Sequence, residues 1–279
     1  MTLLDIQRRL RAVGIEEAAW EARLLAARYT GLSDARLLLM REEELTAPGL
    51  EEAVRRRESR EPLQYILGEW SFMGLSFALS PDCLIPRPDT ETLVEYALRH
   101  LPKNARVADL CTGSGCIGIA LAHYRPDITV TAVDLFPETA RMAEKNARRL
   151  GVADRVAVIV GDVTKEIFPP GETFDAIVSN PPYITIEEMQ TLAPELAFEP
   201  RAALTDEGNG LSVIRGVLDT ASRVLFPGGR LLMEFGAAQG ECVTRMAQAY
   251  SFSDIHILKD AGGHDRVLAA RRPAKSDGL

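Results

Sequence analysis

Val107-Ala108-Asp109-Leu110-Cys111-Thr112-Gly113-Ser114-Gly115-Cys116-Ile117-Gly118 reads as a short buried strand, a glycine-rich turn and the opening of an apolar helix that continues through residues 119–123. Glycines 113, 115 and 118 fit the G-x-G-x-x-G spacing that lets backbone approach a nucleotide at a helix N-terminus, a weak signal by itself. The next strand, Ile128-Thr129-Val130-Thr131-Ala132-Val133, ends in Asp134, where a carboxylate can accept both hydroxyls of a ribose. A further strand, Phe174-Asp175-Ala176-Ile177-Val178-Ser179, runs out into Asn180-Pro181-Pro182-Tyr183. Helical patterns over residues 137–150, 211–225 and 239–250 alternate with strand patterns over 155–160, 230–235, 255–258 and 266–270. That alternation predicts an α/β fold with a doubly wound, mostly parallel sheet whose strand ends converge on one crevice.

The Asn180-Pro181-Pro182-Tyr183 stretch carries the chemistry. Residues that precede proline are pushed toward extended backbone, and proline donates no hydrogen bond. The carbonyls of Asn180 and Pro181 are therefore held in fixed directions with few local donors to compete for them. With the Asn180 side-chain oxygen and the Tyr183 ring, the loop becomes a rigid acceptor site with a flat wall. It suits a planar group bearing an NH2, such as a carboxamide or an exocyclic base amine. A plain proline-rich turn is the unremarkable alternative.

Composition narrows the class. The 279 residues suffice for one or two domains, and the net charge of −8 argues against electrostatic capture of bare nucleic acid. No apolar run reaches membrane-spanning length and the N-terminus does not read as a signal peptide, so a cytoplasmic location is the default expectation. Cys83, Cys111, Cys116 and Cys242 show no C-x-x-C spacing, and the four histidines are scattered, so no metal site or disulfide framework is expected. No nucleophile elbow supports a hydrolase.

Residues 2–60 have helical periodicity, with stops at Gly14 and Gly31, a cap at Ser33 and an opening at Pro48. Trp20 and Leu24 are expected to face a small helical core. The Arg55-Arg56-Arg57 run reads as a solvated helix face or a surface for an acidic partner. Around Met73-Gly74, Tyr65-Ile66-Leu67-Gly68-Glu69-Trp70 and Leu75-Ser76-Phe77-Ala78-Leu79 alternate as a hairpin would. Three parts are expected: a helical domain over 1–68, a hairpin linker over 69–85 and a catalytic domain over 86–279. Leu84-Ile85-Pro86-Arg87-Pro88 is stiff, with a helix to His100 capped by Asp89 or Thr90. Residues 271–279 read as a polar tail.

With these motifs in order, the chain resembles the bacterial glutamine methyltransferases that act on peptide chain release factors. The likeness covers nearly the full length. It rests on Tyr65-Ile66-Leu67-Gly68, Leu84-Ile85-Pro86-Arg87-Pro88-Asp89-Thr90-Glu91, Asp109 to Gly115, Asn180 to Tyr183 and Glu199-Pro200-Arg201-Ala202-Ala203-Leu204. The resemblance implies an N-terminal helical domain for substrate recognition and a Rossmann-like domain with a seven-stranded sheet and an antiparallel C-terminal strand. It also implies methyl transfer from S-adenosylmethionine, without a metal, to the glutamine of a Gly-Gly-Gln loop in class 1 release factors. Cys111 stands where most members carry glycine, and the loop is expected to survive the change.

The resemblance assigns catalysis to Asn180, Pro181 and Tyr183. For the donor it implies Asp109, Cys111, Thr112, Gly113, Ser114, Gly115, Asp134, Leu135, Asp162, Val163 and Asn180. Asp134 would take the ribose hydroxyls, Asp162 the adenine amine and Asp109 the methionine ammonium, although Asp109 and Asp162 read equally as structural residues. For the substrate it implies Asn180, Pro181, Pro182, Tyr183, Arg87, Glu199 and Arg201. Arg87 and Thr90 close the methionine end or meet the substrate. Glu199 and Arg201 shape its mouth or pair with each other to hold their loop. Glu234, at a strand end, receives no role.

Rival readings share parts of this pattern. A sister group that modifies a ribosomal protein tends to continue its Ile-Pro-Arg motif with Ser-Pro, whereas this chain continues Pro88-Asp89-Thr90-Glu91. Adenine-directed DNA methyltransferases share the Asn-Pro-Pro-Tyr site but need a basic target-recognition region. An NAD-dependent dehydrogenase would leave residues 180–183 unexplained.

Overall fold

Helix caps written into the first residues are satisfied in the structure. In this computed structural model, which describes residues 1–274, α1 (Leu3–Ala12) opens on a capping box. The Thr2 hydroxyl accepts the Asp5 N–H at 3.1 Å, and the Asp5 carboxylate accepts the Thr2 N–H at 2.8 Å. α2 (Ala18–Thr30) stops at Gly31, α3 (Asp34–Leu39) is capped by Ser33, and α4 (Leu50–Glu58) follows Gly49. A fifth helix, α5 (Leu63–Leu67), ends at Gly68.

Three of the expectations for this region are corrected, two of them in its helices. Residues 65–67 are helical rather than the first arm of the hairpin. The apolar run between Pro62 and Gly68 fits a buried helical turn as well as a strand, and Gly68 at φ 75° supplies the left-handed stop. The core of α2 is Ala18, Ala22, Leu25 and Ala26, while Trp20 is 41% exposed. Small residues let α1 and α4 approach closely, which turns the indole outward.

Met1–Glu69 together with Ala193–Phe198 form one compact unit. Within it Arg57 is buried, contrary to a solvated basic face. It donates to Glu21 at 2.5 and 3.1 Å and to Glu195 at 3.1 Å. A buried guanidinium persists only when paired in this way.

The second unit comprises Trp70–Leu192 and the chain from Glu199 onward. It carries the hairpin of β1 (Glu69–Phe72) and β2 (Leu75–Ala78), then α6 (Pro88–His100) with proline in its first turn. There follow β3 (Arg106–Leu110), α7 (Cys116–Tyr124), β4 (Thr129–Asp134), α8 (Pro137–Arg149), β5 (Val156–Val160) and β6 (Phe174–Ser179). The chain closes with α9 (Arg201–Leu204), α10 (Ser212–Val224), β7 (Leu225–Glu234), α11 (Gly240–Ala249), β8 (Ser253–Lys259) and β9 (Asp265–Arg271). The tail expected over 271–279 begins at the end of β9, and its residues 275–279 lie outside the described residues.

The seven strands run in the order β5-β4-β3-β6-β7-β9-β8. β3 to β7 are parallel, and β9 is antiparallel to both β7 and β8. One core lies under α6, α7 and α8 and holds Leu93, Ile119, Leu121 and Ala147; the other, under α10 and α11, holds Ile214, Leu218, Phe235 and Val243. The chain winds outward from β3 through β4 to β5, then returns to β6 on the other side. β3 and β6 therefore flank the topological switch point, where strand ends diverge and leave a crevice. Ser179 donates to the Leu110 carbonyl at 2.7 Å across that junction.

Candidate active site

The crevice at the switch point is a cavity with about 970 Å3 of open space, its mouth included. The turn after β3 forms its floor. Thr112 N–H bonds to the Val133 carbonyl at 2.9 Å, and Gly115, at φ 83°, turns the chain into α7. Gly118 has no room for a side chain: a Cβ there would lie 2.8 Å from both Asp109 Oδ2 and Val130 Cγ1. Its lack of one lets α7 press against the sheet.

Asp109 lies beneath this turn and is fully buried. Its Oδ2 accepts from Thr112 Oγ1 at 2.6 Å and from the Gly118 N–H at 2.9 Å, while Oδ1 is buried without a partner. Burial pushes its pKa up to about 7, against those two bonds. Asp134 ends β4 on the cavity wall, 8% exposed. Its oxygens accept from Gly113 N–H at 2.9 Å and Phe136 N–H at 3.1 Å, and burial raises its pKa. Asn146, on α8, clamps the same turn: it donates to the Ser114 carbonyl at 2.9 Å and to Ala78 of β2 at 3.0 Å.

Leu135 and Phe136, 51% and 42% exposed, stand at the mouth beside Asp162 and Val163. Asp162 accepts from Thr164 N–H at 2.9 Å and pairs with Lys165 at 3.0 Å; its bond to the Thr164 hydroxyl contributes most to lowering its pKa. A flat base could lie against Leu135 and Val163 with the Asp162 carboxylate at its edge. A ribose would meet Asp134, whose oxygens keep free lone pairs. The polar groups and the apolar wall thus fit a nucleoside-bearing donor.

On the facing side, Asn180 follows β6. Its Nδ2 donates to Thr90 Oγ1 at 3.2 Å, and Thr90 Oγ1 donates to Glu234 Oε2 at 2.6 Å. The other oxygen of Glu234 accepts from the Tyr183 hydroxyl at 3.0 Å. Glu234 is 1% exposed; burial raises its pKa, opposed by these two bonds and by Arg266. The Tyr183 carbonyl accepts from Gln239 Nε2 at 2.9 Å. Burial, with the Glu234 charge second, raises the Tyr183 pKa.

Of the sequence-derived candidates, the cavity wall includes Arg87, Cys111, Thr112, Gly113, Ser114, Asp134, Leu135, Asp162, Val163, Asn180 and Pro182. Asp109, Gly115, Pro181, Tyr183, Glu199 and Arg201 are not on that wall. The alternative role for Glu199 and Arg201, a pair with each other, is not what forms. Glu199 instead pairs with Arg87 and accepts the Ile85 N–H at 3.0 Å, while Arg201 bonds to Glu207 at 2.8 Å. Tyr183 points its hydroxyl at Glu234 rather than lining the cavity. Sequence reading left Glu234, Gln239 and Asn146 without roles. Glu234 did leave a signal, a lone carboxylate closing the apolar run Leu231-Leu232-Met233. Among the described residues no set of three or more His, Cys, Asp or Glu is placed to hold a metal ion. No helix among them is long and apolar enough to cross a membrane.

Fold and site together define an S-adenosylmethionine-dependent methyltransferase. Residues 89–224 match the family model described as Methyltransferase small domain, and residues 2–68 match PrmC N-terminal domain. The chain is 42% identical over 270 residues to the release factor glutamine methyltransferase of Cereibacter sphaeroides, covering 95% of each chain. To that of Moorella thermoacetica it is 40% identical over 271 residues, again 95% of each. This protein therefore belongs to the release factor glutamine methyltransferase family. Among solved structures, a methyltransferase from Pyrococcus furiosus matches with TM-score 0.54 at 18% identity, covering 73% of this chain and 91% of that one. A ribosomal protein L11 methylase from Lactobacillus delbrueckii subsp. bulgaricus matches with TM-score 0.50 at 22% identity, covering 70% and 84%. These two share the fold.

Proposed function

We propose that this protein transfers a methyl group from S-adenosylmethionine to the side-chain amide nitrogen of the glutamine in the Gly-Gly-Gln loop of class 1 peptide chain release factors. The observation that carries the reading is the orientation of Asn180. Its nitrogen is committed to Thr90, which leaves Oδ1 with no donor among the described residues, in a side chain that lines the cavity.

A glutamine amide nitrogen is a weak nucleophile because its lone pair is delocalised into the carbonyl. The donor supplies a sulfonium-bound methyl that is already electrophilic. The work left to the protein is alignment and charge. Asn180 Oδ1 and the Pro181 carbonyl accept the two N–H bonds, which orients the nitrogen and increases its electron density. Pro182 on the wall and the extended backbone before each proline hold those acceptors still. No general base is needed, since the proton can leave after transfer. Asp134 binds the ribose, while Leu135, Asp162 and Val163 receive the base. Residues 2–68 supply recognition of the protein substrate, consistent with their match to the family's N-terminal domain.

The sister reading, a ribosomal protein substrate, is less well supported, given the Pro88-Asp89 continuation and the names of the relatives. Mass spectrometry of a purified release factor after incubation with this protein and methyl-labelled donor is the test. A single added methyl on the loop glutamine supports the proposal. An unmodified release factor alongside a methylated ribosomal protein refutes it.

A further inference from the structure

We infer that Glu234 sets which atom of Asn180 faces the acceptor, acting through Thr90 as a positioning residue. The inference rests on the reading of Asn180 as the amide acceptor, and adds what makes it one.

An asparagine amide has two faces of similar shape and opposite polarity, so its orientation must be imposed by neighbours. Here the polarity can be traced to its source. Both oxygens of Glu234 accept, one from Tyr183 and one from Thr90, so the Thr90 hydroxyl, 2.6 Å from Oε2, spends its single proton on it. What Thr90 then offers at its oxygen is a lone pair. Only the Asn180 nitrogen can meet that lone pair, and the contact is 3.2 Å. Were the amide turned over, Oδ1 would face the lone pairs of Thr90 Oγ1, an unsatisfied and repulsive contact in a site where Thr90 is 2% exposed. The same carboxylate accepts from the Tyr183 hydroxyl at 3.0 Å, so one side chain ties both ends of the Asn-Pro-Pro-Tyr stretch.

The strand order makes this relay possible. Glu234 closes β7, which lies beside β6, whose end supplies Asn180, and α6 brings Thr90 to the same place. Arg266, on β9 beside Glu234, is already paired with Asp260 at 3.0 Å and Asp89 at 3.4 Å. Arg266 would therefore keep two carboxylate partners if Glu234 became neutral.

Four single substitutions and one double variant test the chain of polarity, with turnover measured on a release factor and donor-site affinity measured by calorimetry with S-adenosylhomocysteine. Glu234→Leu removes both acceptors at similar volume, so the Thr90 proton is free to turn to Asn180 Oδ1 and the amide of Asn180 is no longer fixed. Thr90→Val keeps the volume and deletes the relay. Each is expected to lower kcat by roughly ten- to a hundredfold, as loss of an outer supporting partner does, with S-adenosylhomocysteine affinity within about threefold. Thr90→Ser restores the hydroxyl and should recover most of what Thr90→Val loses, which a loss of packing alone would not allow. In an Asn180→Ala background, Thr90→Val should change kcat by less than about twofold, because the group it orients is gone.

Wild-type kcat in Glu234→Leu, with a large loss in Asn180→Ala, overturns the role of Glu234 and leaves the reading of Asn180 standing. Equal losses in Thr90→Val and Thr90→Ser, or multiplied losses in the double variant, also overturn it. Undiminished kcat in Asn180→Ala removes both.

Discussion

Gly210 lies so close to Tyr183 that a Cβ on it would stand 2.0 Å from the Tyr183 carbonyl oxygen. That carbonyl also accepts from Gln239 Nε2, and Asp206 braces the turn by accepting the N–H groups of Gly208, Gly210 and Ser212 at 2.8 to 2.9 Å. The far end of the Asn-Pro-Pro-Tyr stretch is thus held by backbone contact, as its near end is held by Thr90.

Gly210→Ala should therefore be damaging twice over. Gly210 has φ 72°, which a Cβ disfavours, and the added methyl must displace Tyr183. We expect a stability loss of about 2 kcal/mol in urea unfolding, together with a fall in turnover of at least tenfold. A variant with wild-type turnover would show that the position of Tyr183 is unimportant.

Cys111 offers a strain test in the donor turn. It occupies φ 59°, a left-handed conformation that costs a residue with a side chain roughly 1 kcal/mol relative to glycine. Comparing Cys111→Gly with Cys111→Ala isolates that cost, because both remove the thiol. Chemical denaturation should find the glycine variant more stable than the alanine variant by about 1 kcal/mol, with S-adenosylhomocysteine binding retained.

Two arginines that look alike in sequence should behave differently. Arg87 pairs with Glu199, whose side chain is 1% exposed, whereas Glu207, the partner of Arg201, is 56% exposed. Arg87→Ala strands a buried carboxylate beside the cavity and should cost about 2 kcal/mol, with weakened donor binding. Arg201→Ala should cost less than about 1 kcal/mol. Thermal unfolding of the two variants side by side decides.

Asp109 should leave a mark on the pH dependence of stability. Its pKa is pushed from 3.8 up to about 7 by burial, so between those values the folded protein holds a proton that the unfolded chain has released. Stability from this group is therefore present below pH 3.8 and is lost as pH rises toward 7. Asp109→Asn keeps an acceptor for Thr112 and Gly118 and puts an NH2 where Oδ1 has no partner. Urea unfolding from pH 4 to 8 should show a shallower fall, or a steeper rise, for the variant than for the wild type. Parallel pH profiles would contradict the assignment.

The alternation of strand and helix from residue 105 onward was legible because fully buried parallel strands read as apolar runs and each loop carries its own turn residues. The three strand ends at Asp109, Asp134 and Asn180 could be placed for the same reason, since strand ends in such a sheet meet. What sequence could not show was which way a side chain turns. Asp109 lies near the end of β3 and Tyr183 follows β6, as their strand patterns predict, yet one lies beneath the glycine turn and the other faces Glu234. Glu199 found Arg87, 112 residues away, rather than its near neighbour Arg201. Such pairings are fixed by tertiary packing, which local spacing does not encode. The helix at 63–67 was missed because a five-residue stretch with four apolar side chains does not distinguish a helical turn from a strand.

The central claim is that Asn180 presents an oxygen to the acceptor amide. Single-turnover methylation of a release factor by Asn180→Ala, with S-adenosylhomocysteine affinity measured in parallel, tests it most directly. The account predicts a methyl-transfer rate lower by roughly 10²-fold, as for loss of one preorganised polar contact, with affinity changed by less than about threefold. A wild-type rate, or a loss confined to affinity, would contradict it.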